Sequence, residues 1–307
     1  MPLPSVSTTS RSPLARPAVL AVILGFLLVQ CATAGVPGGS LALPPPDLRA
    51  SAVSLRSGSG STIDGWFSRG RAGAGAVLLL HGIGASRLDM VGRARFLEAA
   101  GYSVLLIDFR GHGESGDAQP TYGALESRDA RAALAFLRTV LPDERIGVIG
   151  VSMGGAAALL GPAPLAVDAL VLESVYPTIR DAVRDRLRAW LGPLGGALVP
   201  GAMAWLFPRS GVTPEQLRPI DRIAQETAPV FVLAGTADRY TTLDESRALF
   251  DAAPEPKAFW AVEGAAHVDL HAFTPAEYEA RVGAFLADHL RRGREGLARD
   301  EARGAPR

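Results

Sequence analysis

The feature of the sequence that most constrains its fold is a series of short apolar runs that alternate with helical stretches from about residue 50 onward. Two early segments, 52–56 and 62–67, alternate apolar and polar residues in the manner of antiparallel edge strands. Several later runs are continuously apolar, as expected of strands covered on both faces. These later runs span residues 76–80, 103–109, 145–151, 168–173, 230–234 and 257–262. The pattern predicts an α/β fold with a mostly parallel sheet of about eight strands and helices on both faces.

Helical stretches occupy the intervals between the runs. They span residues 88–100, 126–140, 153–160, 244–252 and 276–291. Three pairs of residues have the spacing of a capping box, namely Ser86 with Asp89, Thr213 with Gln216 and Thr274 with Glu277. Pro214 and Pro275 follow two of these starts at the first helical position, where a missing N–H costs nothing. The sequence therefore predicts helices that begin at these points.

The N-terminal segment, residues 1–34, has the pattern of a signal peptide or an N-terminal membrane anchor. Two arginines precede an apolar run over residues 18–29, and the small-residue pattern Ala32-Thr33-Ala34 follows it. The residues that end at Cys31 also resemble a lipobox, although a small residue does not precede the cysteine. Each interpretation predicts that the remainder is exported to a periplasmic or extracellular location, and the anchor interpretation adds membrane association through this segment.

The remaining organisation follows from composition along the chain. A linker rich in proline and glycine spans residues 35–50, the main domain is predicted over 51–292, and a charged tail without apolar periodicity occupies 293–307. Within the domain, an apolar helical segment at about 177–223 interrupts the alternation of strands and helices. Its apolar and aromatic content favours a lid over a substrate pocket, and an ordinary core helix is the alternative.

Charge and cysteine content exclude some classes of function. The chain has 31 Lys and Arg residues and 31 Asp and Glu residues, so it lacks the basic excess that nucleic-acid binding requires. Its single cysteine, Cys31, allows neither an intramolecular disulfide nor a cysteine-based metal site. We therefore predict a partner of small-molecule type, and the oligomeric state cannot be predicted.

The strongest motif is Gly150-Val151-Ser152-Met153-Gly154, a G-x-S-x-G sequence. An apolar strand leads into it and a helix of small residues leads out, which is the setting of a nucleophile elbow. Glycines remove Cβ atoms that would clash in so tight a turn, and Ser152 then stands clear of the sheet beside the positive end of the helix dipole. The motif predicts Ser152 as a nucleophile.

A second motif, His81-Gly82-Ile83-Gly84, directly follows the run at 76–80. Acyl transfer requires backbone N–H groups aimed at the developing oxyanion, and a glycine-rich turn at a neighbouring strand end can present one. We predict the N–H groups of Met153 and Ile83 as these donors, with Gly84 as the alternative. His81 is interpreted as holding the turn, because no carboxylate lies near it in sequence.

With the segment Asp108-Phe109-Arg110-Gly111-His112-Gly113-Glu114-Ser115-Gly116 added, these motifs resemble the α/β-hydrolase superfamily over about residues 60–290. The closest resemblance is to small-lidded esterases, monoacylglycerol-lipase-like proteins and serine-aminopeptidase-like proteins. It implies an α/β-hydrolase fold with a short helical lid. It also implies that Asp108, Arg110 and His112 shape the carboxyl edge of the sheet and take no part in catalysis.

The resemblance also implies where the other two members of a catalytic triad lie. Asp238, in the loop after the run at 230–234, matches the position of the acid, and Glu173 is the alternative. His267 matches the position of the base, and His271 is its competitor. The order Ser152, Asp238, His267 is the order of this fold. His289, near the end of the last helix, is interpreted as a surface residue.

These residues predict a serine hydrolase that cleaves a carboxylic ester with a small or medium acyl group through an acyl-enzyme intermediate. No metal and no organic cofactor are expected. An exported serine aminopeptidase or amidase is the nearest alternative, and it would require a carboxylate or another anchor in its pocket for the substrate's ammonium group. A catalytically silent hydrolase fold that serves as a binding protein is the third hypothesis.

Overall fold

The structure is a computed structural model that describes residues 43–116 and 118–291. The predicted leader, the lipobox cysteine Cys31, the linker up to residue 42 and the predicted tail at 293–307 lie outside the described residues.

Eight strands form one sheet. They are β1 (Ala50–Arg56), β2 (Thr62–Ser68), β3 (Ala76–Leu80), β4 (Ser103–Ile107), β5 (Ile146–Val151), β6 (Ala169–Glu173), β7 (Val230–Gly235) and β8 (Lys257–Val262). The strand order is β1-β2-β4-β3-β5-β6-β7-β8. The pairs β1–β2 and β2–β4 are antiparallel and the other five are parallel. The predicted α/β class and mostly parallel sheet are confirmed. The two early segments pair antiparallel at one end of the sheet, where β1 is the edge strand and β2 lies between β1 and β4.

The described α-helices lie in the segments between the strands and after the last strand. They are α1 (Val91–Ala100), α2 (Glu126–Val140), α3 (Met153–Leu159), α4 (Ile179–Leu191), α5 (Val199–Ser210), α6 (Pro219–Ile223), α7 (Leu243–Ala252), α8 (Leu270–Phe273) and α9 (Pro275–Leu290). Short 3₁₀ turns precede α1, α5 and α6, at Arg87–Met90, Gly192–Leu198 and Pro214–Gln216. The helix predicted over 88–100 therefore begins as a tighter turn.

Two apolar cores lie on opposite faces of the sheet, because successive side chains of a strand point to opposite sides. In β3, Leu78 and Leu80 belong to one core, whereas Val77 and Leu79 belong to the other. Helices α2 and α3 contribute to the first core, and α1 and α9 contribute to the second. This arrangement confirms the prediction of helices on both faces.

The predicted capping boxes have different outcomes. Ser86 with Asp89 and Thr213 with Gln216 form both reciprocal contacts. The prediction for Thr274 with Glu277 is wrong, because the Thr274 side chain makes no capping hydrogen bond. Thr274 ends α8 as well as preceding α9, and its N–H donates to the Leu270 carbonyl of the helix that it closes. Pro275 nevertheless lies at the start of α9, as predicted.

The segment predicted as a lid is a helical insertion between β6 and β7, formed by α4, a 3₁₀ turn and α5. The stretch 179–208 is apolar and long enough to cross a membrane by length and composition alone. In the fold it is broken at Gly192, which has a φ of 62°, and α4 packs against α5. Trp190, Leu191 and Leu194 are exposed at this break.

Candidate active site

Ser152 lies at the sharp turn between β5 and α3, in a backbone conformation that few residues other than glycine adopt. Its φ is 49° and its ψ is −112°. The Ser152 N–H donates to the Glu173 carbonyl at 2.7 Å, which fixes the turn against the end of β6. The side chain is almost buried, with 6 % of the residue exposed. Strain of this kind is typical of functional sites and persists only where the surroundings hold it.

Two glycines of the motif are required by close backbone contacts. A Cβ on Gly150 would lie 2.6 Å from the Gly155 Cα, and a Cβ on Gly154 would lie 2.2 Å from the Leu80 carbonyl oxygen. Neither contact can be relieved by a side-chain rotation, because both involve backbone atoms. The glycines therefore allow α3 to pack directly over β5 and β3, and this packing sets the direction in which Ser152 points.

Asp238 and His267 form a direct pair at the same edge of the sheet. The Asp238 Oδ2 atom lies 2.7 Å from the His267 Nδ1 atom. The other carboxylate oxygen, Oδ1, accepts the N–H groups of Tyr240 at 2.8 Å and Thr241 at 3.0 Å. The Asp238 side chain is fully buried, whereas the His267 side chain is 20 % exposed. This geometry places a proton on Nδ1 of His267 and leaves Nε2 as the atom that can accept one.

The hydrogen bonds to Asp238 keep its carboxyl ionised. Burial acts to raise the pKa of Asp238, but the hydrogen bond and charge of His267 and the N–H groups of Thr241 and Tyr240 outweigh it. The net pKa lies below the ordinary value for an aspartate. An ionised carboxylate orients the imidazole ring and stabilises its protonated form, as the acid of a Ser-His-Asp triad does.

Ser152 and His267 follow different strands and lie at the carboxyl edge of the sheet. Ser152 follows β5 and His267 follows β8, so that β6 and β7 lie between these two strands in the sheet. No hydrogen bond among the described residues joins the Ser152 hydroxyl to the His267 ring. The ring of Tyr240, which lines the same cavity as Ser152, lies edge-on to the His267 ring at 5.7 Å. Catalytic hydrogen bonds are often loose without substrate.

The turn after β3 lies beside Ser152. A Cβ on Gly82 would lie 3.6 Å from the Ser152 Cβ. Ile83 and Met153 both line the cavity that contains Ser152. Neither of their N–H groups donates to another residue within 43–116 or 118–291. Two N–H groups beside Ser152 that have no acceptor among the described residues could serve as the donors that we predict for an oxyanion hole.

Glu173, the alternative acid, forms its hydrogen bonds with residues other than His267. Its carboxylate accepts two hydrogen bonds from Arg93, Nε to Oε1 at 3.0 Å and Nη2 to Oε2 at 2.6 Å. The hydroxyl of Tyr278 also donates to Oε1 at 2.5 Å. Because both carboxylate oxygens are used in this buried network, Glu173 is a support beneath the edge of the sheet and does not contact His267.

His271, the alternative base, packs between α1 and α9. Its Nε2 atom lies 3.0 Å from the Glu279 carboxylate, and its ring stacks on Phe96 with centroids 6.1 Å apart. A Cβ on Gly92 would lie 3.0 Å from the His271 Nδ1 atom, so the ring is closely held. His289, interpreted as a surface residue, is half-buried against Phe285. The Asp238 carboxylate pairs with His267 and with neither of these rings.

His81 is fully buried and holds the turn that it begins. Its Nδ1 atom lies 2.7 Å from the Gly82 carbonyl oxygen, and its Nε2 atom accepts the N–H of Phe109 at 3.1 Å. Burial, and then the neighbouring His112 ring, lower the pKa of His81 to about 3, so the ring is neutral. A neutral ring with both nitrogens engaged has no capacity to act as a base.

The Asp108 segment also has structural contacts. Asp108 accepts the backbone N–H of Arg87 at 2.7 Å and its Nη1 group at 2.8 Å. A Cβ on Gly113 would lie 2.1 Å from the Asp108 Oδ2 atom, so the loop can close around the carboxylate only with glycine there. The Arg110 N–H donates to Asp129, and the His112 ring lies 2.9 Å from the Arg110 carbonyl.

A cavity of about 270 Å³ opens over Ser152. Its walls include the turn after β3, the helical insertion and the loop after β7. The lining residues are Ile83, Pro120, Tyr122, Ser152, Met153, Tyr176, Ile179, Ala182, Val183, Arg186, Trp190, Leu206 and Tyr240. Most of this surface is apolar or aromatic, which is typical of a pocket for a small organic molecule.

The sequence interpretation did not single out Arg186 and Tyr240, which both line this cavity. Tyr240 lies two positions after Asp238 and carries no motif of its own. Arg186 had a detectable signal, because it occupies the apolar face of α4 at helical spacing from Ala182 and Val183. An arginine among apolar positions of one helical face indicates either a buried ion pair or a ligand contact.

Among residues 43–116 and 118–291, no group of three or more His, Cys, Asp or Glu side chains could hold a metal ion. The side chains of Ser152 and His267 carry a hydroxyl and an imidazole, groups that can perform nucleophilic attack and proton transfer in enzymes without a metal.

Comparison with known proteins shows which family the chain resembles. The model of the alpha/beta hydrolase fold family matches residues 75–192. The uncharacterized protein Rv2307c of Mycobacterium tuberculosis is 32 % identical over 247 residues, which cover 79 % of this chain and 80 % of that protein. The uncharacterized protein YqkD of Bacillus subtilis is 25 % identical over 214 residues, covering 68 % of this chain and 70 % of that protein.

Solved structures show the same architecture. The Pyrococcus furiosus esterase Pf2001 superposes with a TM-score of 0.69 at 24 % identity, covering 83 % of this chain and 98 % of that one. The hypothetical protein PA2218 of Pseudomonas aeruginosa superposes with a TM-score of 0.58 at 20 % identity, covering 83 % and 100 %. The matched family model, the related sequences and the shared fold together establish that this chain belongs to the α/β-hydrolase superfamily.

Proposed function

We propose that this protein is a serine hydrolase that cleaves carboxylic esters with Ser152 as nucleophile, His267 as general base and Asp238 as the acid that orients it. The observation that carries the proposal is the 2.7 Å contact of the buried Asp238 carboxylate with the partly exposed His267 ring, at the same sheet edge as a serine in a strained strand-to-helix turn. The superfamily and the esterase fold neighbours support hydrolysis as the general reaction.

The proposed reaction is acyl transfer to water. His267 Nε2 removes the Ser152 hydroxyl proton while the serine oxygen attacks the ester carbonyl carbon. The N–H groups of Ile83 and Met153 stabilise the oxyanion of the tetrahedral intermediate. The protonated His267 then gives its proton to the departing alcohol, and an acyl-enzyme remains. A water molecule, deprotonated by His267, attacks this ester and releases the acid and free Ser152.

The cavity supports a preference for esters with a small or medium acyl group. Its volume of about 270 Å³ is at the small end for ligand pockets, and its apolar lining suits a short hydrocarbon chain. We further propose that the helical insertion acts as a lid, because α4 supplies one wall of this cavity and apolar side chains are exposed where α4 ends.

The two other functions considered have less support. An aminopeptidase needs an anionic anchor for the substrate's ammonium group, but the residues found to line the cavity include Arg186 and no carboxylate. That cation would repel an ammonium group. A catalytically silent binding protein would explain neither the strained φ of Ser152 nor the ionised Asp238 paired with His267.

Reaction of the full-length protein with a fluorophosphonate probe tests the proposed nucleophile. We expect a single adduct, located at Ser152 by peptide mapping and intact mass, because the probe reacts only with activated serines. The Ser152→Ala variant should not be labelled. Ser174→Ala is the matched control, because Ser174 also has a φ of 49° at the end of the neighbouring strand and is buried.

Two results would contradict the proposed function. The first is a folded wild-type protein that the probe does not label, with no hydrolysis of p-nitrophenyl butyrate. The second is labelling that survives in Ser152→Ala and disappears in Ser174→Ala, which would move the nucleophile to the next strand.

A further inference from the structure

One face of α4 brings a single basic side chain to the cavity. Five cavity residues lie on this helix at positions i, i+3, i+4, i+7 and i+11, and they are Ile179, Ala182, Val183, Arg186 and Trp190. This spacing places them on one side of the helix. Arg186 is the only Lys or Arg among the described residues that line the cavity.

Arg186 makes few polar contacts for a half-buried guanidinium. Its Nη1 group has one long hydrogen bond, 3.5 Å to the Ala182 carbonyl oxygen, and its Cζ atom lies 5.2 Å from the centroid of the Tyr240 ring. No carboxylate within the described ranges forms an ion pair with it. The charge of the Asp238 carboxylate acts on Arg186, but the oxygens of that carboxylate accept hydrogen bonds from His267 and two backbone N–H groups.

Arg184, two residues earlier on the same helix, shows the contrast. Its guanidinium contacts Asp181 at 2.6 Å, Asp185 at 3.0 Å and Glu245 on α7. Two carboxylates of α4 and one of α7 therefore pair with Arg184, whereas Arg186 lies toward the cavity without an ion pair among the described residues. The difference is a matter of which face each residue occupies.

A guanidinium in this position is suited to an anion. Arginine offers five N–H donors in a fixed planar fork that fits a carboxylate with two parallel hydrogen bonds. Burial lowers the pKa of Arg186, and the nearby tyrosines and Asp238 partly offset that effect. An anion that entered the cavity would replace the solvation that the guanidinium loses there and would pair with an otherwise unmatched charge.

We propose that Arg186 binds an anionic group of the substrate, so that the enzyme prefers esters that carry a carboxylate on the part of the molecule held in the cavity. This inference rests on the proposed esterase function, because it names the substrate class of the same site. Arg186 holds the substrate by its charge and takes no part in making or breaking bonds, so the reaction steps and their proton balance are those already given.

Matched ester pairs test this preference with the full-length protein. One pair carries the charge on the acyl side, as mono-p-nitrophenyl adipate and its neutral methyl ester. The other carries it on the alcohol side, as the butyrate ester of 4-hydroxyphenylacetic acid and its methyl ester. We expect kcat/KM to favour the anionic member of at least one pair by about tenfold or more, as for hydrogen bonds to charged groups.

Variants assign the preference to Arg186. Arg186→Met should abolish the ratio of anionic to neutral kcat/KM, and Arg186→Lys should retain part of it, because an ammonium keeps the charge without the fork. Arg188→Met is the matched control, since Arg188 is an exposed residue of the same helix that does not line the cavity. A purely structural role for Arg186 would lower both members of a pair equally and leave the ratio unchanged.

Binding separates this inference from the proposed function. Titration of the Ser152→Ala protein with monomethyl adipate should show saturable binding that Arg186→Met weakens by about tenfold or more, whereas dimethyl adipate should show no such dependence. Ratios near one in both ester pairs together with binding that ignores Arg186 would overturn the inference. Anion binding that depends on Arg186 in a protein without labelling or turnover would support the inference while the esterase function fails.

Discussion

The carboxyl edge of the sheet and the helical insertion differ in how their charged side chains are paired. At the edge, Glu173 is held by Arg93 and Asp238 is held by His267, with each carboxylate also satisfied by further donors. In the insertion, Arg186 faces the cavity without a carboxylate. The edge thus has its polar groups fixed before a substrate arrives, which reduces reorganisation during the reaction. The insertion leaves one charge for the substrate to match.

Under the proposed function, this difference separates reaction from selection within one site. Paired groups at the edge hold the proposed nucleophile, base and acid in place through hydrogen bonds. The insertion contributes apolar walls and one cation, which can change without disturbing those hydrogen bonds. We therefore expect substitutions at the edge to affect turnover or folding, and substitutions in the wall of the insertion to affect the choice of substrate.

The largest expected effect concerns the two histidines near the edge. His267→Ala should lower kcat for p-nitrophenyl butyrate by about 10⁴-fold or more, because the proton acceptor for Ser152 is lost. His271→Ala should retain most of the activity, because that ring contacts Glu279 and Phe96 and not Asp238. Steady-state kinetics of both variants, with circular dichroism as a check on folding, makes the comparison.

If His267→Ala kept most of its activity while His271→Ala lost it, the base would have to be reassigned. The contact between Asp238 and His267 would then have only a structural role, and the paired groups at the edge would not be the catalytic ones.

The next effect is on stability. Arg93→Met leaves the buried Glu173 carboxylate without its main partner, and it should lower the free energy of unfolding by about 3–5 kcal/mol. The double variant Arg93→Met, Glu173→Leu should lose less, because no unpaired charge is left in the interior. Urea unfolding followed by fluorescence measures both changes.

Arg95→Met is the control for this series, since the Arg95–Asp47 pair is exposed and should contribute little. A double variant as unstable as Arg93→Met would mean that the cavity left by the arginine, and not the unpaired charge, dominates the loss.

The sheet and its edge were predictable because local patterns determine them. Fully buried strands read as apolar runs with turn residues at their ends, and the boundaries of β8 and α2 agree with the prediction at both ends. The close approach of α3 to β5 requires small residues, so the motif around Ser152 carries the geometry of its turn within five residues. The positions of Asp238 and His267 were predicted from the resemblance to the superfamily, and the structure brings the two side chains into contact after β7 and β8.

The wall of the cavity was less predictable because contacts between distant segments determine it. The sequence shows that Arg184 and Arg186 lie on one helix, but only the packing of α4 against α7 shows which of them meets Glu245. The failed capping box has a similar origin, since Thr274 is shared by two helices and the spacing alone cannot show that α8 precedes it.

The smallest expected effect concerns the contact between the insertion and α7. Burial, and then the neighbouring Asp185, raise the pKa of Glu245 to about 8, against the opposing N–H of Thr242 and the charge of Arg184. A group with a raised pKa in the folded state stabilises the protein at low pH, and this stabilisation is lost as the pH rises from the unfolded pKa through the folded one. The wild-type free energy of unfolding should therefore fall between about pH 4.5 and pH 8.

Glu245→Gln should flatten this part of the pH profile, because an amide keeps a neutral side chain beside Asp185 at every pH. We expect a reduction in slope equivalent to a change on the order of 1–2 kcal/mol across the window, because the charge of Arg184 and the N–H of Thr242 offset part of the cost of ionising Glu245. Glu277→Gln, at an exposed carboxylate of α9, is the control. If Glu245→Gln retained the wild-type slope, the charge of Arg184 would be enough to balance the carboxylates that it contacts. The charged groups of the insertion would then be paired as completely as those of the edge, except at Arg186.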